Sequence, residues 1–157
     1  MGRLRDVLVA ETDLADISTY IASGNIVCAT PPDPEAARAA VRSVIHREFG
    51  VDTPVIHRTH AQLVSSESAQ PFPEGDVTFV HAMFLEGRPA SGALAALEER
   101  LLPAERLALV DDDLWIDYGE GGVHSTKLTK AVLDRALGVA GTARNLRTIR
   151  TLIELAA

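Results

Sequence analysis

Hydrophobic periodicity changes repeatedly along this chain between helical spacing and strand alternation. The opening segment MGRLRDVLVAE places Leu4, Val7 and Leu8 near helical spacing, whereas the following DISTYIASGNIVCAT carries the β-branched and aromatic residues typical of strands. Clusters of proline and glycine separate such segments and keep each of them short. Short helices and strands that follow one another in this way predict an α+β fold class.

Turn and cap signals set the predicted boundaries. Gly24 and Asn25 lie between two strand-like runs and predict a two-residue hairpin turn of type II′, because glycine takes a positive φ without strain. Pro34 suits the first turn of a helix that ends at Gly50. Further strands are predicted at residues 53–59 and 77–86, a second hairpin in RLALVDDDLWIDYG, and further helices in HAQLVSSESA, SGALAALEERLL, STKLTKAVLDRALG and TARNLRTIRTLIELA.

Both halves of the chain contain a hairpin flanked by helices. This order predicts two repeats of the ferredoxin-like, split β-α-β-β-α-β type. The first repeat covers residues 1–69, the proline-rich segment 70–76 connects the two, and residues 77–157 form the second repeat with a C-terminal helix. The first repeat lacks an opening strand, which leaves a sheet edge unpaired and predicts association into a homodimer.

Composition excludes several classes of protein. Of the 157 residues, 46% are hydrophobic and 24% are charged, as in ordinary globular domains, and charged residues interrupt every apolar stretch before membrane-spanning length. The N-terminus lacks the apolar core of a signal peptide, so the sequence predicts a cytoplasmic protein without membrane partners. The single cysteine, Cys28, excludes an internal disulfide and predicts a buried, inert thiol.

Charge is distributed unevenly along the chain. The net charge is −7, which disfavours nucleic-acid binding because such binding depends on neutralising phosphates with Lys and Arg. Residues 1–118 carry a net charge of −10 and residues 119–157 a net charge of +3. The C-terminal part is therefore where an anionic ligand is expected.

Several short motifs together resemble a known family. The stretches TYIASGNIV, VTFVHAMFLE, STKL and ARNLRTIRTLIELA are similar, in this order, to those of the bacterial domain-of-unknown-function family numbered 1697. The resemblance implies a bacterial α+β protein with no established reaction. Two departures stand out: Met1 falls where the family's first helix begins, after its usual opening strand and glycine-rich turn, and Leu146 stands where the family usually has tryptophan.

The first candidate site is the segment YGEGGVHSTKL. A glycine-rich loop here precedes a predicted helix, with Ser125 as its N-cap and Lys127 in its first turn. Free backbone N–H groups and the positive end of the helix dipole favour anions at such a junction. The alternative is a capped helix after a flexible loop. The segment does not match the Walker A pattern.

A second candidate site is the segment TARNLRTIR. It predicts another helix start, with Thr142 as N-cap and Arg144 and Asn145 in the first turn. An arginine there opposes the helix dipole unless it meets a carboxylate or an anionic ligand. Arg147 and Arg150 are more typical of a solvated helix face.

The first hairpin adds a third group of candidates. Its turn requires Gly24 and tolerates Asn25, but it requires neither Tyr20 nor Ser23, although the family pattern includes all four residues. We therefore predict that this turn shares one ligand with the basic residues of the second repeat. The alternative is a turn whose side chains bond to their own backbone. The predicted ligand-binding residues are Tyr20, Ser23, Gly24, Asn25, Ser125, Lys127, Arg144 and Asn145.

Other kinds of site are less favoured by the sequence. The five histidines are scattered, Asp111–Asp113 lacks the remainder of an EF-hand loop, and no nucleophile elbow is present, so neither a metal site, a cofactor nor covalent hydrolysis is predicted. The sequence thus predicts binding of a small anionic or phosphorylated ligand at the junction of the repeats. An enzyme acting on that ligand is the first alternative and a nucleic-acid-binding module the second.

Overall fold

The computed structural model describes residues 1–22 and 24–157 and shows an α+β chain, as predicted. The chain divides into two compact units. One comprises residues 1–60 and 152–157, and the other comprises residues 61–151. Among the described residues, none of the helices combines the length and the apolar character needed to cross a membrane.

The first unit joins two helices to a short hairpin. Helix α1 (Gly2–Glu11) precedes strands β1 (Ser18–Tyr20) and β2 (Asn25–Val27), and helix α2 (Pro34–Phe49) follows them. The signals read for α2 are confirmed: Asp33 accepts a hydrogen bond from the Ala36 N–H, proline begins the helix, and Gly50 ends it with a left-handed backbone. Leu8, Val41 and Val44 form the buried core of this unit.

The second unit is built on a four-stranded antiparallel sheet. Helix α3 (His60–Ser68) begins at its boundary, and strand β3 (Val80–Leu85), helix α4 (Ala93–Glu98) and the hairpin β4 (Arg106–Val110) and β5 (Asp113–Asp117) follow. Helix α5 (Gly122–Ser125), helix α6 (Lys130–Leu137), strand β6 (Gly141–Asn145) and helix α7 (Leu146–Leu155) complete the order. The strands lie in the order β4-β5-β3-β6.

The register of the sheet fixes which side chains share a face. Met83 and Leu85 of β3 lie on the same face as Leu114 and Ile116 of β5, and this face packs against helices α4 and α6 through Leu97, Leu133 and Leu137. Residues of β3 that alternate with these, such as Ala82 and Phe84, face the opposite side. The two faces of the sheet therefore carry separate sets of side chains.

Several predicted boundaries are wrong. Residues 53–59 form no strand, and the strand predicted over residues 77–86 is confined to Val80–Leu85 because residues 77–79 form a turn. The helix predicted from residue 91 to residue 102 is limited to α4. The start of the predicted last helix is a strand instead: β6 pairs with β3 along its whole length, a long-range pairing that local sequence does not specify.

Candidate functional site

The first hairpin closes differently from the predicted two-residue turn. Tyr20 and Asn25 are the last paired residues, so Asn25 belongs to β2 and is not a turn residue. The buried Asn25 side chain donates from Nδ2 to the Tyr20 carbonyl at 3.0 Å, which ties the two strand ends together. Gly24 has φ +85°, as its motif position predicts, whereas Ser23 lies outside the described residues.

The predicted helix start at Ser125 is also wrong. Ser125 is the last residue of the short helix α5, and α6 begins after Thr129, whose side chain accepts a hydrogen bond from the Val132 N–H. Lys127 consequently lies between the two helices rather than in a first helical turn. Its side chain is exposed. Because Thr129 caps α6 and the Thr126 hydroxyl accepts from the Leu128 N–H, protein groups already occupy part of the predicted anion site.

The residues of the second predicted helix start are rearranged as well. Thr142 and Arg144 lie in strand β6, so Thr142 is not an N-cap and Arg144 does not oppose a helix dipole. The cap of α7 is Asn145, whose Oδ1 accepts from the Thr148 N–H at 2.9 Å. Arg144 and Asn145 are adjacent in a strand, so their side chains point to opposite faces of the sheet.

Arg144 lies half-buried on the face that carries Ala82. Ala82 pairs with Arg144 on one side and with Trp115 on the other, so these three residues form one cross-strand row. The Arg144 Nη1 donates to the Thr142 hydroxyl and to the Ala143 carbonyl, both at 2.7 Å, and burial lowers the pKa of the guanidinium. Burial of a guanidinium carries a desolvation cost, which hydrogen bonds and opposite charges offset.

Trp115 adds an unpartnered donor to the same row. Its side chain is fully buried, and among the described residues its indole Nε1 has no hydrogen-bond partner. Buried donors are nearly always satisfied in folded proteins, so an exception calls for a physical reason such as a water or a ligand. No sequence motif singles out Trp115, although its position in an alternating strand places it on one face of the sheet.

His81 and Tyr118 lie at one end of the opposite, helix-covered face. Their rings meet edge to face, with centroids 5.1 Å apart. His81 Nδ1 lies 3.1 Å from the Phe79 carbonyl oxygen, and the Tyr118 N–H donates to the same oxygen at 3.2 Å. Burial lowers the pKa of His81, and burial together with the negative charge of Glu105 raises the pKa of Tyr118 to about 12.

Arg106 forms a polar cluster that is structural. It pairs with the buried carboxylate of Asp117 at 2.5 Å and with Glu74, and it stacks on the Phe72 ring with its guanidinium carbon 4.6 Å from the centroid. The second oxygen of Asp117 accepts from the Gly119 N–H. Since both carboxylates and the ring already hold Arg106, the cluster fastens the proline-rich segment to the β4–β5 hairpin.

A shallow depression of about 330 Å³ lies on helix α2 of the first unit. Its lining includes Arg42 and Asp52, which form an ion pair at 2.8 Å, together with Ala39, Ser43 and His46. The Arg42 guanidinium lowers the pKa of Asp52. All five lining residues are exposed, so water competes with any ligand there.

Metal ligands do not converge in the described part of the chain: residues 1–22 and 24–157 contain no group of three His, Cys, Asp or Glu side chains arranged to hold an ion. Among the predicted site residues, the structure brings together Tyr20, Gly24 and Asn25 in the first hairpin. In the second unit it separates the side chains of Arg144 and Asn145 by a sheet.

Comparison with known proteins identifies the family. A solved structure, that of the conserved bacterial protein SP0830 from Streptococcus pneumoniae, is similar with a TM-score of 0.72, covering 100% of this chain and 88% of that chain. The sequences are 18% identical, so this likeness concerns the fold alone. No protein with a curated description matches the chain. The profile described as "Protein of unknown function (DUF1697)" matches residues 1–115, and the chain therefore belongs to the DUF1697 family.

Proposed function

We propose that this member of the family is a cytoplasmic bacterial protein that binds a small anionic or phosphorylated ligand. The observation that carries the proposal is the half-buried guanidinium of Arg144 on the sheet face of the second unit. An anion beside it would add to the hydrogen bonds that this guanidinium already makes. The net charge of +3 over residues 119–157 favours the same ligand class.

Trp115 supports a ligand at this face. Its indole N–H belongs to the same cross-strand row as Arg144, and the small Ala82 side chain lies between them. An oxyanion can accept from an indole N–H and a guanidinium at once, since carboxylates and phosphates have several acceptor oxygens. The proposed ligand would therefore accept from the Trp115 indole N–H as well as from the Arg144 guanidinium.

The other predicted ligand-binding residues remain part of the proposal, each within its own unit. These are Tyr20, Ser23, Gly24 and Asn25 in the first unit, and Ser125, Lys127 and Asn145 in the second. Lys127 is exposed and could contribute long-range attraction. Asn25 and Asn145 already hold backbone groups, so their contribution would be to position the loop and the helix start.

A ligand-induced thermal shift tests this function. Wild type, Arg144→Ala and Arg88→Ala are each heated with inorganic phosphate, sugar phosphates and nucleotides, and every shift is measured against the same variant without ligand. A ligand at about 100 times its dissociation constant stabilises by roughly 2.7 kcal/mol, which raises the melting temperature by a few degrees. Arg88 is an exposed loop residue and provides the matched loss of one positive charge.

We expect at least one anion to shift wild type and Arg88→Ala equally and to leave Arg144→Ala unshifted. No shift with any anion, or equal shifts in all three proteins, would contradict the proposal. A short oligonucleotide in the same screen addresses the nucleic-acid alternative, for which binding must weaken steeply as salt rises. Turnover of a ligand that binds would favour the enzyme alternative.

The proposal includes the repeat architecture and the oligomeric state. Strand order β4-β5-β3-β6 with helices α4 and α6 in the crossovers supports a ferredoxin-like second unit. The helix–hairpin–helix order of the first unit supports a related, shorter repeat. Association of the hairpin edge would give a homodimer, which light scattering across a concentration series would detect.

A further inference from the structure

Three polar side chains lie next to one another at the end of the helix-covered face. His81 of β3 is directly paired with Asn145 of β6, so their side chains project from the same face. Tyr118 directly follows β5, on the other side of β3, and its ring contacts His81. The strand order β5-β3-β6 therefore places His81 between Tyr118 and Asn145.

The hydrogen bonds of these residues assign a role to each. His81 Nδ1 donates to the Phe79 carbonyl, so in the neutral ring Nε2 is an acceptor. Asn145 Oδ1 accepts from the Thr148 N–H, which leaves its amide NH₂ as a donor. Tyr118 keeps its proton at neutral pH because its pKa is about 12, so its hydroxyl is also a donor.

These groups form the series donor, acceptor, donor. Within residues 1–22 and 24–157, none of the three groups has a hydrogen-bond partner. The pKa of His81 is set by burial and the Phe79 carbonyl, with no charged side chain contributing. The site is thus electrically neutral at His81, unlike the face that carries Arg144.

We propose that Tyr118, His81 and Asn145 bind the imide edge of a small uncharged heterocycle of the uracil type. Such an edge presents an N–H between two carbonyl oxygens, which is the complement of donor, acceptor, donor. The ligand N–H donates to His81 Nε2, and its carbonyl oxygens accept from the Tyr118 hydroxyl and the Asn145 amide. This site lies on the face of the sheet opposite to Arg144, so it does not depend on the proposed anion site.

Titration with uridine, followed by two-dimensional NMR, tests the site. Uridine should shift the signals of His81, Phe79, Tyr118 and Asn145. N3-methyluridine lacks the central N–H, and cytidine presents a different edge, so each should bind at least about 10-fold more weakly than uridine. A site built around a hydrogen bond discriminates strongly against an analogue that lacks the donor.

Two variants that each lack one hydroxyl separate the site from general effects on folding. Tyr118→Phe removes one hydroxyl but keeps the ring against His81, and it should weaken uridine binding by about 10-fold. Thr30→Val likewise removes one hydroxyl, from an exposed residue of the first unit, and should bind uridine like wild type. Absence of uridine shifts, shifts located elsewhere, equal binding of all three nucleosides, or wild-type affinity in Tyr118→Phe would each overturn the proposal.

Discussion

At the scale of single residues, close packing rather than backbone conformation requires glycine at position 75. A Cβ atom at this position would lie 2.4 Å from Val80 Cγ2, 3.1 Å from Asp117 Oδ2 and 3.2 Å from the Phe72 carbonyl oxygen. The first neighbour is a buried strand side chain, the second is a carboxylate that Arg106 holds, and the third is a main-chain oxygen. None of these atoms can move freely. We expect Gly75→Ala to reduce the free energy of unfolding by about 1–3 kcal/mol, measured by urea denaturation.

Gly87→Ala is the matched control for this substitution. No atom lies within 4 Å of a Cβ built at Gly87, and its φ is not in the left-handed region. The control should be neutral or stabilising by up to about 1 kcal/mol, since alanine restricts the unfolded chain. Equal effects of the two substitutions on the free energy of unfolding would mean that the close contacts around Gly75 do not exclude a methyl group.

At the scale of elements, helix α6 begins at a residue that can be tested directly. Thr129 accepts from the Val132 N–H, whereas Ser125, the predicted cap, makes no cap to α6. We expect Thr129→Ala to cost about 1 kcal/mol of stability in urea denaturation. Ser125→Ala should stay within about 0.5 kcal/mol of wild type, because Ser125 is exposed. The reverse ranking would restore Ser125 as the cap.

Helices α2 and α6 and strand β6 show what the sequence can and cannot specify about element boundaries. Helix α2 was predicted correctly because Asp33, Pro34 and Gly50 give unambiguous start and stop signals. Before α6, several hydroxyl residues follow one another, so local chemistry alone does not select Thr129. Strand β6 was missed because its sequence suits a helix start, and its pairing with β3 joins residues that are about sixty positions apart.

At the scale of the whole molecule, the candidate sites depend on register. Motif reading found Arg144 and Asn145, but it assigned them to one surface, whereas strand alternation places them on opposite faces. In the sequence His81 is only one of five scattered histidines. It became a candidate because β3 lies between β5 and β6, which brings it beside Tyr118 and Asn145. No short motif encodes such a meeting of three strands.

Burial of His57 in the first unit and of His81 in the second couples stability to pH. Burial is the main cause that lowers the pKa of His57 in the first unit and of His81 in the second, relative to the ordinary value of 6.5. The unfolded chain therefore binds these protons more readily than the folded chain. Stability should fall as pH decreases through 6.5 and level off once the folded histidines have also protonated.

Urea denaturation at a series of pH values between 8 and about 5 tests this coupling. His81→Gln removes one of these two histidines and should flatten the profile, although its stability at pH 8 can differ from wild type. If His81→Gln keeps the full slope, acid sensitivity in this range does not arise from His81.

Below about pH 4 a second decrease in stability is expected. The Thr78 hydrogen bonds lower the pKa of Asp76, and the Arg42 hydrogen bond lowers the pKa of Asp52. Both carboxylates therefore favour the folded state while they are ionised.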